Sequence, residues 1–411
     1  MSEAATVQTP RDGSKAAWTL GLLVAIYACN FVDRSIVSVL GQALKKDLGL
    51  SDLQLGLLGG LSFAVFYTGL GLPIARLAER RSRVGIIALS SAAWSVMTAL
   101  CGLTQNFGQL LLARMGVGVG EAGLSPAAQA LISDTVPPER RASALAVYSL
   151  GIPTGTLIGL AGGGWLVQSL GWRLAFLAVG LPGLLLALLA ALTLKEAPCA
   201  AAAPPPITAV LARLRARSSG IHAIAGASLA SVAGYGISYF VPAWFNRTFG
   251  FDYAQAGLVT GLISSLPAAI SLMAGGMIAD RWGARNKSAF ALAPAAALIT
   301  TAPLYLLAFA QGDWRAATAL LTVTALFQYA YLPPTLALLH HLVEPRMRAT
   351  ATAILFFCIN LIGLGVGPAL AGWLSDRFGL TAALSGCALF YLWAAGHFLL
   401  GSRTLARDLA D

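Results

Sequence analysis

The stretch LLLARMGVGVGEAGLSP, residues 110–126, sets an arginine and a glutamate in a run of mostly apolar residues and glycine. Arg114 and Glu121 are seven residues apart, which is two α-helical turns or roughly 10 Å of rise, so their side chains leave one helix face at different depths. A charge buried in hydrocarbon is costly unless it is paired, hydrated or neutralised. We therefore expect a functional role for both residues and a cavity built around this face.

The composition of the whole chain predicts a membrane protein. Of 411 residues, 57% are hydrophobic and 11% are charged, whereas about 25% are charged in a typical soluble protein. Apolar runs of about 20 residues, the length that spans a bilayer, recur along the chain. The predicted spans are residues 18–40, 53–74, 84–103, 107–132, 142–167, 174–194, 221–245, 256–279, 289–310, 316–339, 349–374 and 382–400.

The basic residues predict the topology. The net charge is +10, but 19 of the 27 Lys and Arg residues lie in the tails and in alternate loops between the predicted spans. This is the positive-inside pattern with both termini cytoplasmic, and it argues against a nucleic-acid partner. We expect a multi-pass protein of the cell inner membrane.

A central break divides the spans into two groups of six. Residues 195–219 contain three consecutive prolines and the basic segment ITAVLARLRAR, which suits a helix on the cytoplasmic membrane surface. The predicted organisation is a tail (1–17), an N-terminal six-helix bundle (18–194), this linker (195–219), a C-terminal six-helix bundle (220–401) and a second tail (402–411).

An internal repeat supports the two bundles independently. PERRASALAV matches PRMRATATAI, which sets Arg141 against Arg348, 207 residues later, and GGWLVQSLG matches AGWLSDRFG. RLAERRSR and MIADRWGAR form a third match in the same order. Parallel repeats around a midplane site are typical of one large class of secondary transporters.

The third pair of matched segments resembles the cytoplasmic loop signature of the major facilitator superfamily. Five positions of the second copy match it: Gly276, Asp280, Arg281, Gly283 and Arg285. The first copy is weaker: Glu79 stands in place of the aspartate, while Arg80 and Arg83 are kept. The resemblance implies a conformational latch between helix ends; the alternative is that these arginines only fix topology.

Within that superfamily the chain is similar to the spinster family, whose animal members transport sphingolipids or lysophospholipids. The similarity rests on NFVDR at residues 30–34, RMGVGVGEA at 114–122 and the glycine-rich SLGIPTGTLIGLAGG at 149–163. It implies a lipid-like substrate.

Depths counted from the span ends predict an ion pair. Asp33 and Arg114 each lie seven residues from the outer end of their predicted spans, so they should be level and should pair. Glu121 lies about two turns deeper, where the sequence offers no level basic partner. Arg34, adjacent to Asp33, must point about 100° away from it, either to bind a substrate anion or to support the network.

These four residues suggest proton coupling. A proton reaching Glu121 would alter the position of Arg114 and hence the Asp33 pair, biasing inward against outward states. The alternative is a buried structural network without a coupling role. In the C-terminal bundle, the candidate substrate-binding residues are Tyr235, Tyr239, Gln328, Tyr329 and Asn360.

No phosphate loop, HExxH pair or metal-ligand cluster occurs in the sequence, so we expect neither an enzyme nor a cofactor other than the proton. The predicted function is proton-coupled transport of an amphipathic solute by alternating access, by a monomer whose partners are that solute and membrane lipid. A symporter of small organic anions, such as aromatic or sugar acids, is the alternative. A non-transporting receptor or scaffold is a remote third hypothesis.

Overall fold

The computed structural model describes residues 13–78, 81–195 and 206–410, and within these ranges the chain is helical and contains no strand. The helices of the N-terminal half are α1 (Gly13–Leu48), α2 (Asp52–Gly59), α3 (Leu61–Ala78), α4 (Arg83–Cys101), α5 (Phe107–Glu121), α6 (Leu124–Thr135), α7 (Arg141–Ser149), α8 (Gly151–Leu157) and α9 (Gly163–Thr193). Those that follow are α10 (Ile207–Arg215), α11 (Ser218–Phe249), α12 (Tyr253–Arg285), α13 (Ala289–Phe309), α14 (Trp314–Gln328), α15 (Leu332–Leu342), α16 (Arg348–Cys358), α17 (Gly365–Phe378), α18 (Leu380–Ala388) and α19 (Phe390–Ala410).

Nine helical stretches of the described chain are long and apolar enough to cross a membrane, which confirms the helical, multi-pass class. They differ from the twelve predicted spans at three places. The predicted fourth and tenth spans each divide into two shorter helices, α5 with α6 and α14 with α15. The predicted fifth and sixth spans run together as Ser143–Thr193. The count of twelve, the domain boundaries and the cytoplasmic termini stay predictions.

The repeat appears in the backbone. Gly171 interrupts α9 with φ 78° and ψ 164°, and Gly379 separates α17 from α18 with φ 82° and ψ 157°. These two glycines end the matched segments GGWLVQSLG and AGWLSDRFG. Because this backbone conformation is essentially restricted to glycine, each half needs a glycine where its fifth predicted span ends.

The glycine-rich segments of both halves also contain a π-helical turn. One is Ile158–Gly162 between α8 and α9, and the other is Ile359–Leu364 between α16 and α17. Such turns bend a helix locally and are frequent at functional positions.

The linker helix α10 forms within the predicted linker. Its apolar residues Val210 and Leu214 are buried, and the helix contacts α11, α15 and α16 of the C-terminal half. The buried apolar side therefore packs on protein, whereas the sequence suggested the membrane surface.

Candidate functional site

The glycines of the segment GVGVGE let α5 approach two other helices closely. A Cβ atom on Gly118 would lie 2.7 Å from the carbonyl oxygen of Phe63 on α3, and one on Gly120 would lie 2.5 Å from the backbone nitrogen of Trp94 on α4. Backbone contact at this distance needs residues without side chains. It fixes α5 so that its two charged residues, Arg114 and Glu121, both lie buried inside the N-terminal half.

Asp33 and Arg114 form the ion pair that their depths predict. Arg114 Nη1 lies 3.2 Å from Asp33 Oδ1, and both side chains are 2% exposed. Thr98 on α4 donates a hydrogen bond to Asp33 Oδ2, and Arg114 Nε donates to the carbonyl oxygen of Leu58 at 3.4 Å. These extra hydrogen bonds offset part of the desolvation cost of a buried pair.

The prediction that Glu121 has no basic partner is wrong. Arg34 Nε lies 2.6 Å from Glu121 Oε2, and the Glu121 side chain is fully buried while that of Arg34 is 19% exposed. The prediction for Glu121 used only the depth of each backbone position along its helix. It ignored the reach of the long arginine side chain, which lets its charged end lie far from its own Cα.

Three aromatic rings surround the Arg34 guanidinium. Its Cζ atom lies 4.4 Å from the ring centroid of Tyr67, 4.8 Å from that of Phe63 and 5.1 Å from that of Phe31. The Phe63 ring also lies 5.7 Å from Arg114 Cζ. Cation–π attraction of this kind contributes about 0.5–2 kcal/mol per contact and orients Arg34 towards Glu121.

The network leaves two polar atoms unsatisfied. Among the described residues, Glu121 Oε1 and Asn30 Nδ2 are buried and have no hydrogen-bond partner. Asn30 precedes Arg34 by one helical turn on α1. A free carboxylate oxygen beside the Arg34 pair is an atom at which a proton can bind without first displacing a hydrogen bond.

Four of these residues were predicted, and the structure brings all four together. Thr98, Phe31, Phe63 and Tyr67 were missed. A single threonine or aromatic residue in an apolar span carries no signal in one sequence, because most such residues are packing residues.

The candidates of the C-terminal half separate into four environments. Gln328 and Tyr329 line a small cavity, and Tyr235 is 37% exposed. Tyr239 is buried, and its ring packs against Gly59 of the N-terminal half. Asn360 donates to the carbonyl oxygen of Phe356 on its own helix at 2.8 Å. Any role in binding substrate stays a prediction.

The two halves are joined at the end predicted to face outward. Arg247 on α11 binds Asp52 at the start of α2 through two hydrogen bonds of 2.7 and 2.6 Å, and Ser375 on α17 donates to Asp52 at 2.5 Å. Asp376 accepts hydrogen bonds of 2.8 and 2.9 Å from the backbone nitrogens of Asp52 and Leu53. This outer cluster, Asp52 with Arg247, Ser375 and Asp376, was not predicted.

The predicted latch residues lie apart from the outer cluster. Glu79 and Arg80 fall outside the described residues. Arg83 forms an ion pair with Asp134 and donates to the carbonyl oxygen of Ala130. The members of the second copy differ in burial: Gly276 is half-buried, Gly283 is buried against Phe290, and Asp280, Arg281 and Arg285 are exposed. The latch remains a prediction.

The sequence matches the family model of the Major Facilitator Superfamily over residues 23–299 and 223–408. An MFS-type efflux pump of Mycolicibacterium smegmatis is 35% identical over 99% of this chain and 97% of its own length. A hexuronate transporter of Bacillus subtilis is 25% identical over 92% of this chain and 91% of its own. A probable sphingolipid transporter, spinster homolog 2 of Arabidopsis thaliana, is 27% identical over 87% of this chain and 78% of its own.

The crystal structure of a bacterial homolog of the human lysosomal transporter Spinster, inward-facing and unoccupied, has the same fold. Its TM-score is 0.90 at 29% identity, and the match covers 97% of this chain and 99% of that one. The chain belongs to the Major Facilitator Superfamily and is a membrane transporter of the spinster type, not an enzyme.

Proposed function

We propose that this protein is a proton-coupled secondary transporter of an anionic, lipid-like amphiphile in the bacterial inner membrane. The observation that carries the proposal is the buried ion pair of Arg34 with Glu121, which lies next to the Asp33–Arg114 pair. Ionisable groups inside a membrane protein are costly and commonly mark ion or substrate pathways.

Arg34 is the proposed link between proton and substrate. Its side chain is the only one of the four charged side chains with appreciable exposure, 19%, while the others are 2% exposed or less. An anionic group approaching the network would therefore meet Arg34 first. That group competes with the Glu121 carboxylate for the same guanidinium.

Protonation of Glu121 decides this competition. A neutral carboxyl group attracts Arg34 far less than a carboxylate does, so a proton on Glu121 makes Arg34 available to the substrate anion. By linkage, bound substrate must in turn favour the protonated form of Glu121. Loss of the proton restores the Arg34–Glu121 pair and expels the anion.

The Asp33–Arg114 pair would have a different role. It is more completely buried, and its carboxylate already accepts a hydrogen bond from Thr98. We assign it to holding α1, α4 and α5 in register while Arg34 changes partner. This modifies the sequence hypothesis, in which the proton on Glu121 acted through Arg114.

Alternating access would then open the outer cluster and close the cytoplasmic side. The Asp52–Arg247 contact joins α2 to α11, and the Asp376 contacts join α17 to α2, so both must break before the halves can separate outside. Ion pairs at the ends of rigid bundles are suitable two-state contacts, because they form or break as a unit with bundle rotation.

Proteoliposomes test the coupling. Purified protein is reconstituted with a pH-sensitive dye inside, and lysophosphatidylglycerol is added outside. We expect substrate-dependent proton movement that is lost in Glu121→Gln. The control is Glu344→Gln, because Glu344 is 53% exposed and pairs with Arg346 on the surface. Undiminished proton movement in Glu121→Gln would refute the proposal.

Transport of a small organic anion is the second candidate, favoured by the match to the hexuronate transporter. Arg34 could bind a sugar acid in the same way. Direct binding separates the two candidates: radiolabelled glucuronate should bind the purified protein only if the second candidate is right.

A further inference from the structure

The repeat relates the charged helix α5 to an uncharged helix of the other half. Helices α5 and α14 both have 15 residues, and they end at Glu121 and Gln328. Those ends are 207 residues apart, the offset that also sets Arg141 against Arg348. With the same offset, Leu321 occupies the position of Arg114.

Helix α1 has an uncharged counterpart in α11. Each of these helices is followed by a glycine with positive φ, Gly49 at 64° and Gly250 at 71°, which gives an offset of 201 residues for this helix pair. The offset replaces the two network residues of α1 by uncharged ones: Asp33 by Gly234, and Arg34 by Tyr235. The C-terminal half thus holds a neutral copy of the charge network.

The neutral copy contains a cavity of about 20 Å³. Leu321 and Gln328, the counterparts of Arg114 and Glu121, line it together with Tyr305, Ser264 and Tyr329. A Cβ atom added to Gly234 would lie 3.2 Å from Gln328 Nε2. The counterpart of Asp33 thus lies beside the amide of the counterpart of Glu121, and both counterparts of the α5 charges line the cavity.

Gln328, which lines this cavity, has an unsatisfied hydrogen-bonding group. The residue is 4% exposed, and its Oε1 accepts a hydrogen bond of 2.6 Å from the Tyr305 hydroxyl. Within the described part of the chain, Gln328 Nε2 has no partner. A buried amide without a hydrogen-bond partner costs about 1–3 kcal/mol. Binding of a group that forms a hydrogen bond with this amide is therefore favoured.

The size and the polarity of the cavity restrict which chemical group can bind next to Gln328. About 10–15 Å³ is enough for one water-sized oxygen, so the cavity of about 20 Å³ holds one hydroxyl and excludes a phosphate or carboxylate. None of the described residues that line the cavity is charged, which disfavours an ion. A hydroxyl both donates and accepts, and it therefore suits an amide.

We infer that this cavity is a subsite for a hydroxyl group of the substrate, complementary to the Arg34 site for its anionic group. The inference rests on the proposed function. Tyr235, the counterpart of Arg34, is 37% exposed and lies within electrostatic range both of Arg34 and of Tyr329, which lines the cavity. The substrate would then be an anionic amphiphile that carries a free hydroxyl, and each bundle would bind one of the two groups.

A pair of lipids that differ only in the hydroxyl tests this assignment. We propose measuring binding of 1-oleoyl lysophosphatidic acid and of its 2-deoxy analogue to the full chain in nanodiscs at one fixed pH. The wild type should bind the hydroxylated lipid about five- to tenfold more tightly, the range expected for one hydrogen bond to a buried group. Gln328→Leu should bind both lipids equally, with its affinity for the 2-deoxy lipid unchanged.

Two further variants keep the test decisive. Gly234→Ala retains the amide but puts a methyl group beside Gln328 Nε2, and it should also lose the preference. Gln311→Leu removes a half-buried glutamine just after α13, which donates to the Leu307 carbonyl oxygen, and it should keep the preference. Equal binding of both lipids by the wild type, or a preference that survives in both Gln328→Leu and Gly234→Ala, would overturn the subsite and leave the Arg34 proposal intact. Failure of the wild type to bind either lipid would overturn both.

Discussion

Arg34 Nε lies 2.6 Å from Glu121 Oε2, while the preceding residue, Asp33, lies 3.2 Å from Arg114. Two adjacent residues of α1 thus bind two residues that are two turns apart on α5. The two pairs share both helices, so a change in one pair acts on the helices that hold the other. This relationship underlies the predictions that follow.

Removing one partner of the more buried pair should destabilise the protein. Asp33→Asn leaves Arg114 buried without its counter-charge, and we expect a loss of about 3–5 kcal/mol in the free energy of unfolding. Thermal unfolding in detergent measures the effect as a lower Tm.

The matched control is Asp47→Asn. Asp47 pairs with Arg173 at 2.6 Å, but both side chains are 46% exposed, and such surface pairs contribute about 0–1 kcal/mol. The double variant Asp33→Asn with Arg114→Met should recover part of the lost stability. Equal Tm values for Asp33→Asn and Asp47→Asn would show that burial of the first pair has no energetic consequence.

Glycine spacing on α5 gives a second prediction. Gly118→Ala would bring a methyl group to 2.7 Å from the Phe63 carbonyl oxygen, and we expect a loss of about 1–3 kcal/mol because the backbone must shift. Gly116→Ala meets only the flexible Met97 side chain and should be tolerated. Comparing the Tm values of the two variants checks this, and a Gly116→Ala variant as unstable as Gly118→Ala would contradict it.

The outer cluster gives a third prediction. Asp52→Asn removes the carboxylate that Arg247 and Lys45 both bind, so the outer ends of the halves should separate more readily. Spin labels at Lys46 and Arg377, on a cysteine-free background, measure the distance between the halves, and we expect a longer and broader distribution.

Asp252→Asn is the control for that measurement. Asp252 caps α12 within its own half, and asparagine is an equally good cap. The distance distribution should therefore stay that of the wild type. An Asp52→Asn distribution that overlays the wild-type one would remove the outer cluster from the transport cycle.

The sequence was sufficient to predict the Asp33–Arg114 pair because both residues can be counted from the ends of apolar spans, and bilayer thickness sets those ends. It was insufficient for Arg34 and Glu121, whose contact depends on side-chain reach and on the three aromatic rings that orient Arg34. Counting residues along a helix gives backbone depth only.

The outer cluster could not be predicted for a different reason. Asp52 and Arg247 are 195 residues apart, and Asp52 and Asp376 are 324 apart. Their contact depends on how the two halves are arranged relative to each other. In the sequence alone, charged residues in loops near the ends of spans indicate only membrane topology. The repeat, by contrast, was visible in the sequence, and the structure extends it to the paired ends of α5 and α14.

The aromatic contacts of Arg34 give a fourth prediction. Phe63→Leu keeps an apolar side chain but removes the ring that faces both arginines. We expect binding of lysophosphatidylglycerol to weaken about three- to thirtyfold, because a desolvated cation–π contact contributes up to about 2 kcal/mol. Binding isotherms in nanodiscs measure this, with Phe176→Leu as the control, because the buried Phe176 ring packs against Trp172. An equal loss in both variants would indicate a general packing defect.

The most direct test of the central claim is the pH dependence of anion binding. Lysophosphatidylglycerol carries a phosphodiester whose charge does not change between pH 5 and 8, so any change in affinity comes from the protein. We predict that its affinity for the wild type rises as the pH falls, because protonated Glu121 no longer holds Arg34, and that Glu121→Gln binds tightly at every pH in this range. An affinity of Glu121→Gln that still rises on acidification as in the wild type, or a wild-type affinity independent of pH, would contradict the claim that proton and substrate compete through Arg34.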